Sequence, residues 1–181
     1  LPVPAELKKL IEDKLKQFPQ YRSVLECAAC LGYEFRAYVL AESLGKQRLE
    51  TLELLNQIED ETGILRDVRE TDDYFAFCSS FMMKTIRDKL SISGKGPRET
   101  EVPQIVREYH ARIAEVLEKS LNDSNAVIYD VARNYYAAGK SHVSNAMKFS
   151  LQASETAAAG YEFTMAKKYM DMALECAEVS G

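Results

Sequence analysis

The chain has 181 residues, 46% hydrophobic and 28% charged, with a formal net charge of −5, which describes a folded globular chain of one or two domains. At this length roughly 70% of the unfolded surface can be buried without a disulfide or metal staple, and the four cysteines, at 27, 30, 78 and 176, suit a reducing, cytoplasmic setting. No apolar run approaches the ~18–20 residues of a membrane span, and the acidic balance argues against nucleic acid or an anionic membrane as the main partner.

No basic-then-apolar leader opens the chain, and Leu-Pro-Val-Pro at its start reads as a linker from within a longer protein. After Pro4, the apolar residues Leu7, Leu10, Ile11, Leu15 and Phe18 recur at three- and four-residue steps, predicting an amphipathic helix up to Pro19. A second helix is expected from Gln20 to Leu31, with Gly32 supplying a left-handed stop. A short third covers Arg36–Leu44 and ends at Gly45. A fourth covers Lys46–Thr62, apolar at Leu49, Leu52, Leu55 and Ile58, and ends at Gly63. Then the period changes. Ile64–Arg69 and Tyr74–Cys78 are β-branched or aromatic stretches flanking the turn cluster Glu70-Thr71-Asp72-Asp73, which reads as a hairpin. A further helix is expected from Ser79 to Leu90, carrying Phe81, Met82, Thr85 and Ile86 on one side. Helices, a hairpin, then a helix is the order of a winged-helix unit.

In a DNA-binding unit of that order, the helix before the hairpin would enter the major groove. Here Lys46 and Arg48 face Glu50, Glu53, Glu59, Asp60 and Glu61 on that helix, and the hairpin tip is acidic as well. Phosphates would repel such a surface before any base was read. A DNA-binding winged-helix transcription regulator is therefore the alternative reading, with the charge pattern against it.

Residues 91–101 (SISGKGPRETE) hold two Gly, one Pro and three Ser or Thr, too many breakers for a helix. They are expected to link a domain at 1–90 to another at 102–181. Pro103 opens a helix of about twenty residues with Ile105, Val106, Tyr109, Ile113, Val116 and Leu117 on its buried stripe, and Asn122-Asp123-Ser124 caps the next. From there the sequence repeats weakly. Ala132 and Ala153, like Gly139 and Gly160, stand 21 residues apart, while Ala146 and Ala166, like Ala153 and Ala173, stand 20 apart. Each unit is one helix and its turn, with Ala where helices approach closely and Gly expected to end helices in the left-handed region. A helical array follows, with antiparallel neighbours.

The spacing of Ala132, Tyr135 and Gly139, then of Ala146, Ser150 and Ala153, resembles a tetratricopeptide repeat with a turn two residues longer than usual. The opening run Pro4-Ala5-Glu6-Leu7, Leu10-Ile11, Leu15, Pro19, Arg22, Val24-Leu25, Ala28-Ala29, Leu31-Gly32 and Glu34-Phe35 adds to it. So does the helix with Tyr109-His110, Ile113-Ala114-Glu115 and Leu117-Glu118. Together they resemble the region that follows the nucleotide-binding module in STAND-type AAA+ signalling ATPases. The resemblance implies a mainly α chain: a winged-helix unit with a small β-hairpin, then a tetratricopeptide-like array. It further implies an upstream ATPase, since no GxxxxGK[ST] loop occurs in these residues. Ser79 stands where that family usually has a His, which puts the coupling to the nucleotide module in doubt.

No catalytic set emerges. Cys27 and Cys30 form a CxxC on an apolar helix and read as buried, inert thiols. His110 reads as a packing residue, and His142 as a solvated turn residue. Glu59-Asp60-Glu61 lacks the spacing of a calcium loop. The expectation is therefore a non-catalytic regulatory segment without cofactor or metal. It would contact an upstream nucleotide-binding module and bind a protein or peptide on its array, with Asn134, Asn145 and Lys148 as exposed lining candidates. Weak self-association is expected through the last helix, Tyr161–Val179, whose Met165, Tyr169, Met170, Met172 and Leu174 have no following repeat to cover them.

Overall fold

The computed structural model describes residues 5–68, 70, 72–89, 96–98, 101–121 and 126–180. Among these residues it is mainly α-helical, with nine helices and one small antiparallel sheet. The chain divides into two compact units, Leu1–Ser93 and Gly94–Gly181. Most of the expected linker (91–95, 99 and 100), the cap at 122–124, and Arg69 and Thr71 of the hairpin lie outside the described residues.

The first unit runs α1 (Ala5–Gln17), a 3-10 turn (Pro19–Tyr21), α2 (Arg22–Leu31), β1 (Glu34–Arg36), α3 (Ala37–Leu44), α4 (Arg48–Thr62), β2 (Leu65–Asp67), β3 (Tyr74–Phe77) and α5 (Ser80–Lys89). The hairpin pairs Leu65 with Phe77 and Asp67 with Phe75. Its free edge takes β1, giving the order β1-β3-β2, with Phe35 opposite Phe75. Sequence reading expected the hairpin alone. β1 is three residues long with only Phe35 turned inward, too short for an alternating pattern to show. The Phe35 ring meets Phe77 edge-on at 6.1 Å, so one buried aromatic anchors the strand.

The fourth helix also departs from expectation. Leu49 is 69% exposed and Leu52 only half-buried, while the buried stripe is Thr51, Leu55, Ile58 and Thr62. Both threonines fit because their hydroxyls are satisfied within the helix: Thr51 Oγ1 donates to the Gln47 carbonyl at 3.1 Å and Thr62 Oγ1 to that of Ile58 at 2.6 Å. In α1 it is Ile11 that is buried, while Leu10 is exposed. Gly32 is not a left-handed stop either. Its φ of 139° and ψ of −167° lie in a region open essentially to glycine alone, and there the chain turns from α2 into β1.

The second unit runs α6 (Gln104–Glu118), α7 (Val127–Ala137), a 3-10 turn (Lys140–His142), α8 (Val143–Ala159) and α9 (Phe163–Ser180). Each helix packs chiefly on the next in sequence. The alanines at 132, 146, 153 and 173 are buried, as their spacing predicted, whereas Ala166 is only half-buried. On α6, Ile105 is exposed although its expected stripe partners Val106, Tyr109, Ile113 and Val116 are buried. Tyr135 stacks on Phe149 with ring centroids 5.4 Å apart and planes within 7°, forming the centre of a core that includes Ile128, Val131 and Tyr169. Tyr169 is therefore covered within the unit and not left open on the last helix as expected.

The glycine ends need correction. Gly139 has a positive φ of 87°, but its ψ of −160° lies outside the left-handed helical region, and Gly160 has φ −84°, so neither supplies the expected left-handed stop. At the end of α8 the left-handed residue is Tyr161, with φ 60°. Around it, Glu162 N–H donates to the Ala157 carbonyl at 2.8 Å and Tyr161 N–H to that of Ala158 at 3.0 Å, the paired bonds of a Schellman cap. A side chain in that conformation costs roughly 1–2 kcal/mol, and Tyr161 is solvent-exposed. Tyr161→Gly is therefore expected to stabilise the chain by about 1 kcal/mol, read as a rise in the urea midpoint. An unchanged or lower midpoint would contradict the cap.

Candidate functional site

The three candidate partner-binding residues do not come together. Asn134 on α7 is 1% exposed, so the expectation that it lines an open surface is corrected. Its Nδ2 donates to the Asp130 carbonyl at 2.8 Å, which turns Oδ1 toward His110 Nδ1 of α6 at 2.7 Å. In that orientation the amide oxygen can only accept, so the proton lies on His110 Nδ1. Burying both groups is tolerable because each satisfies the other. His110 is thus a packing residue with a specific polar partner. Asn134 lies three positions after the buried Val131 on its helix, and that spacing is the sequence signal that it shares the packed face.

Asn145 and Lys148 are exposed, one turn apart on α8. Asn145 is near enough to the Tyr135 hydroxyl to act on its acidity. The Lys148 ammonium lies 4.6 Å from the centroid of the Phe149 ring. His142 is half-buried rather than freely solvated, with its ring 5.9 Å from that of Tyr135.

The acidic segments of the first unit are tied into its structure. Asp73, in the acidic turn cluster of the hairpin, takes a left-handed φ of 70°, and its side chain is only 6% exposed. Arg48 Nη2 donates to its Oδ1 at 3.0 Å, Tyr38 N–H donates to Oδ2 at 3.3 Å, and Arg36 Nε lies 3.6 Å away. The Asp73 carbonyl also accepts Ala37 N–H at 2.8 Å, so this one residue serves the N-terminus of α3 twice. Glu59 accepts Asp67 N–H at 3.2 Å and Glu61 accepts the Tyr21 hydroxyl at 2.8 Å, which places them in bracing contacts. Ser79 accepts Met82 N–H on its hydroxyl at 3.2 Å and so caps α5.

Cys27 and Cys30 are buried, and both are free thiols. Burial pushes the Cys27 thiol well up, and Cys30 up to about 12 against the pull of Arg87. Burial likewise raises Cys176 to about 11, aided by Glu175. A nucleophile needs the opposite shift. Cys78, though also raised by burial, is exposed. An aromatic disulfide reagent at pH 8 is therefore expected to label Cys78 first and the other three only on unfolding. Rapid native labelling of Cys27 or Cys30 would contradict the reading of both as inert thiols.

Among the described residues, no group of three or more His, Cys, Asp or Glu is placed to hold a metal ion, and no helix is long and apolar enough to cross a membrane. Compared with known protein families, curated proteins and solved structures, the chain matches none.

Proposed function

We propose that this chain is a non-catalytic regulatory segment of a larger cytoplasmic signalling ATPase of the STAND type. In this reading the first unit is a winged helix that follows the state of an upstream nucleotide-binding module. The second begins a tetratricopeptide-like array that binds a protein or peptide. The observation that carries the reading is the sheet of the first unit: its strands lie in the order β1-β3-β2, with α3 and α4 between β1 and β2. The three-residue connection Gly45-Lys46-Gln47 between those helices suits a helix-turn-helix. In the second unit, sequential helix packing with alanine at the close approaches supports a repeat array. Exposed Asn145 and Lys148 remain its candidate partner contacts, without Asn134.

The DNA-binding alternative loses support at α4, where Arg48 is held by Asp73 and the neighbouring acids remain to repel phosphate. No gel shift is expected at physiological salt. The test of the main reading is the open reading frame before Leu1. A Walker-type phosphate loop upstream is expected, and a frame without one would sink the ATPase assignment and leave an adaptor.

A further inference from the structure

In the first unit, α1, the start of α2 and α5 surround a small cleft of about 140 Å³. Leu15, Pro19 and Ile86 give it apolar lining, and Lys16, Arg22 and Lys89 bring three cations to it from three separate helices. The one acid in the lining, Glu26, is buried and accepts from Arg22 Nε at 2.6 Å. That bond neutralises one cation and holds the Arg22 guanidinium at the cleft. Two positive charges remain in excess, in a chain whose overall charge is −5. Lys16 also lies 3.8 Å from Asp13, but both side chains are largely exposed, and such a pair is weak competition for a ligand.

We propose that this cleft binds a single oxyanion, a carboxylate or a phosphate. The charge excess selects an anion, held at the cleft by charge-assisted hydrogen bonds. Size limits the ligand: the volume equals that of about five water molecules and falls below the ~300–1,000 Å³ of cofactor pockets. A head group fits, and a nucleotide does not. The proposal stands apart from the signalling-ATPase reading, since it rests only on residues of this unit.

The experiment is a titration of the whole chain, followed by backbone amide shifts, with inorganic phosphate in one arm and acetyl-triglutamate amide in the other, at fixed ionic strength. Saturable shifts are expected at the end of α1, the start of α2 and the end of α5. Lys16→Gln and Lys89→Gln, both at exposed positions, should each weaken binding roughly tenfold with unchanged melting temperature. Lys9→Gln, elsewhere on α1, should leave binding as it was. Tighter binding of the peptide would identify a protein carboxylate as the source, and tighter binding of phosphate a free or phosphoryl anion; either supports the cleft. Absence of saturation in both arms, shifts mapping elsewhere, or equal affinity in the lysine variants would overturn it.

Discussion

Tyr135→Ala is expected to cost the second unit about 3–5 kcal/mol, a large share of the 5–15 kcal/mol that typically holds a domain together. The ring is fully buried and packs face to face with Phe149, while its hydroxyl donates to Glu118 Oε2 at 2.5 Å. Truncation leaves a ring-sized void between α7 and α8 and deprives the Glu118 carboxylate of that donor. Tyr135→Phe keeps the packing and gives up the hydroxyl bond, so its cost should be nearer 1 kcal/mol. Burial first, then the bond and charge of Glu118, hold the Tyr135 hydroxyl well above its ordinary value of about 10. The neutral form is thus favoured in the fold. Its contribution is whole below pH ~10 and is lost as pH rises toward the folded value. Tyr136 is raised by burial and Glu175 in the same way, so Tyr135→Phe should reduce the alkaline loss of stability without abolishing it. Urea unfolding at neutral pH and above pH 10 checks both statements. A loss under 1 kcal/mol for Tyr135→Ala would mean the stacked core is not what holds α7 to α8.

The second large effect is at Asp73. Removing its carboxylate in Asp73→Ala deprives Arg36, Arg48 and the Tyr38 N–H of their shared acceptor and places a methyl side chain at φ 70°. The arginines are half-exposed and recover some hydration, so the expected cost is about 2–3 kcal/mol, below that of a fully buried pair. Asp73→Gly separates the two causes. It relieves the backbone strain yet should remain clearly destabilised, because the bonds are gone. Asp73→Asn tolerates the left-handed backbone and can still accept from Tyr38, so it should lose about half as much as Ala. Should Gly match the parent chain, strain alone would be at stake and the arginine contacts would count for nothing.

Long amphipathic helices and small-residue spacings were legible in the sequence because each is a local pattern repeated over many residues. Ala132, Ala146 and Ala153 are buried where the repeat placed them. The misses share a different origin. β1 exists only because β3 offers it an edge, which no window of three residues reveals. On α4, apolar counting favoured Leu49 over Thr51, but a threonine that bonds to its own helix behaves as an apolar residue. Asn134 looked like a surface residue because its partner, His110, lies 24 positions away. Tyr161 took the left-handed position because the Schellman bonds of α8 fell one residue beyond the glycine. Of the candidate site, the exposure of Asn145 and Lys148 was legible, and the cleft of α1, α2 and α5 was not, since its cations come from separate helices.

The pairing of each helix of the second unit with its sequence neighbour has a kinetic consequence. Such contacts close only short loops, and this low contact order should let the unit fold fast. Its outer helices should fray independently, giving amide protection highest in α7 and α8 and falling toward α6 and α9. The first unit must instead bring Phe35 to Phe75, forty positions apart, before β1 can pair. That closure carries an entropy cost that no partial structure recovers. The first unit should therefore fold later and lose amide protection as one body.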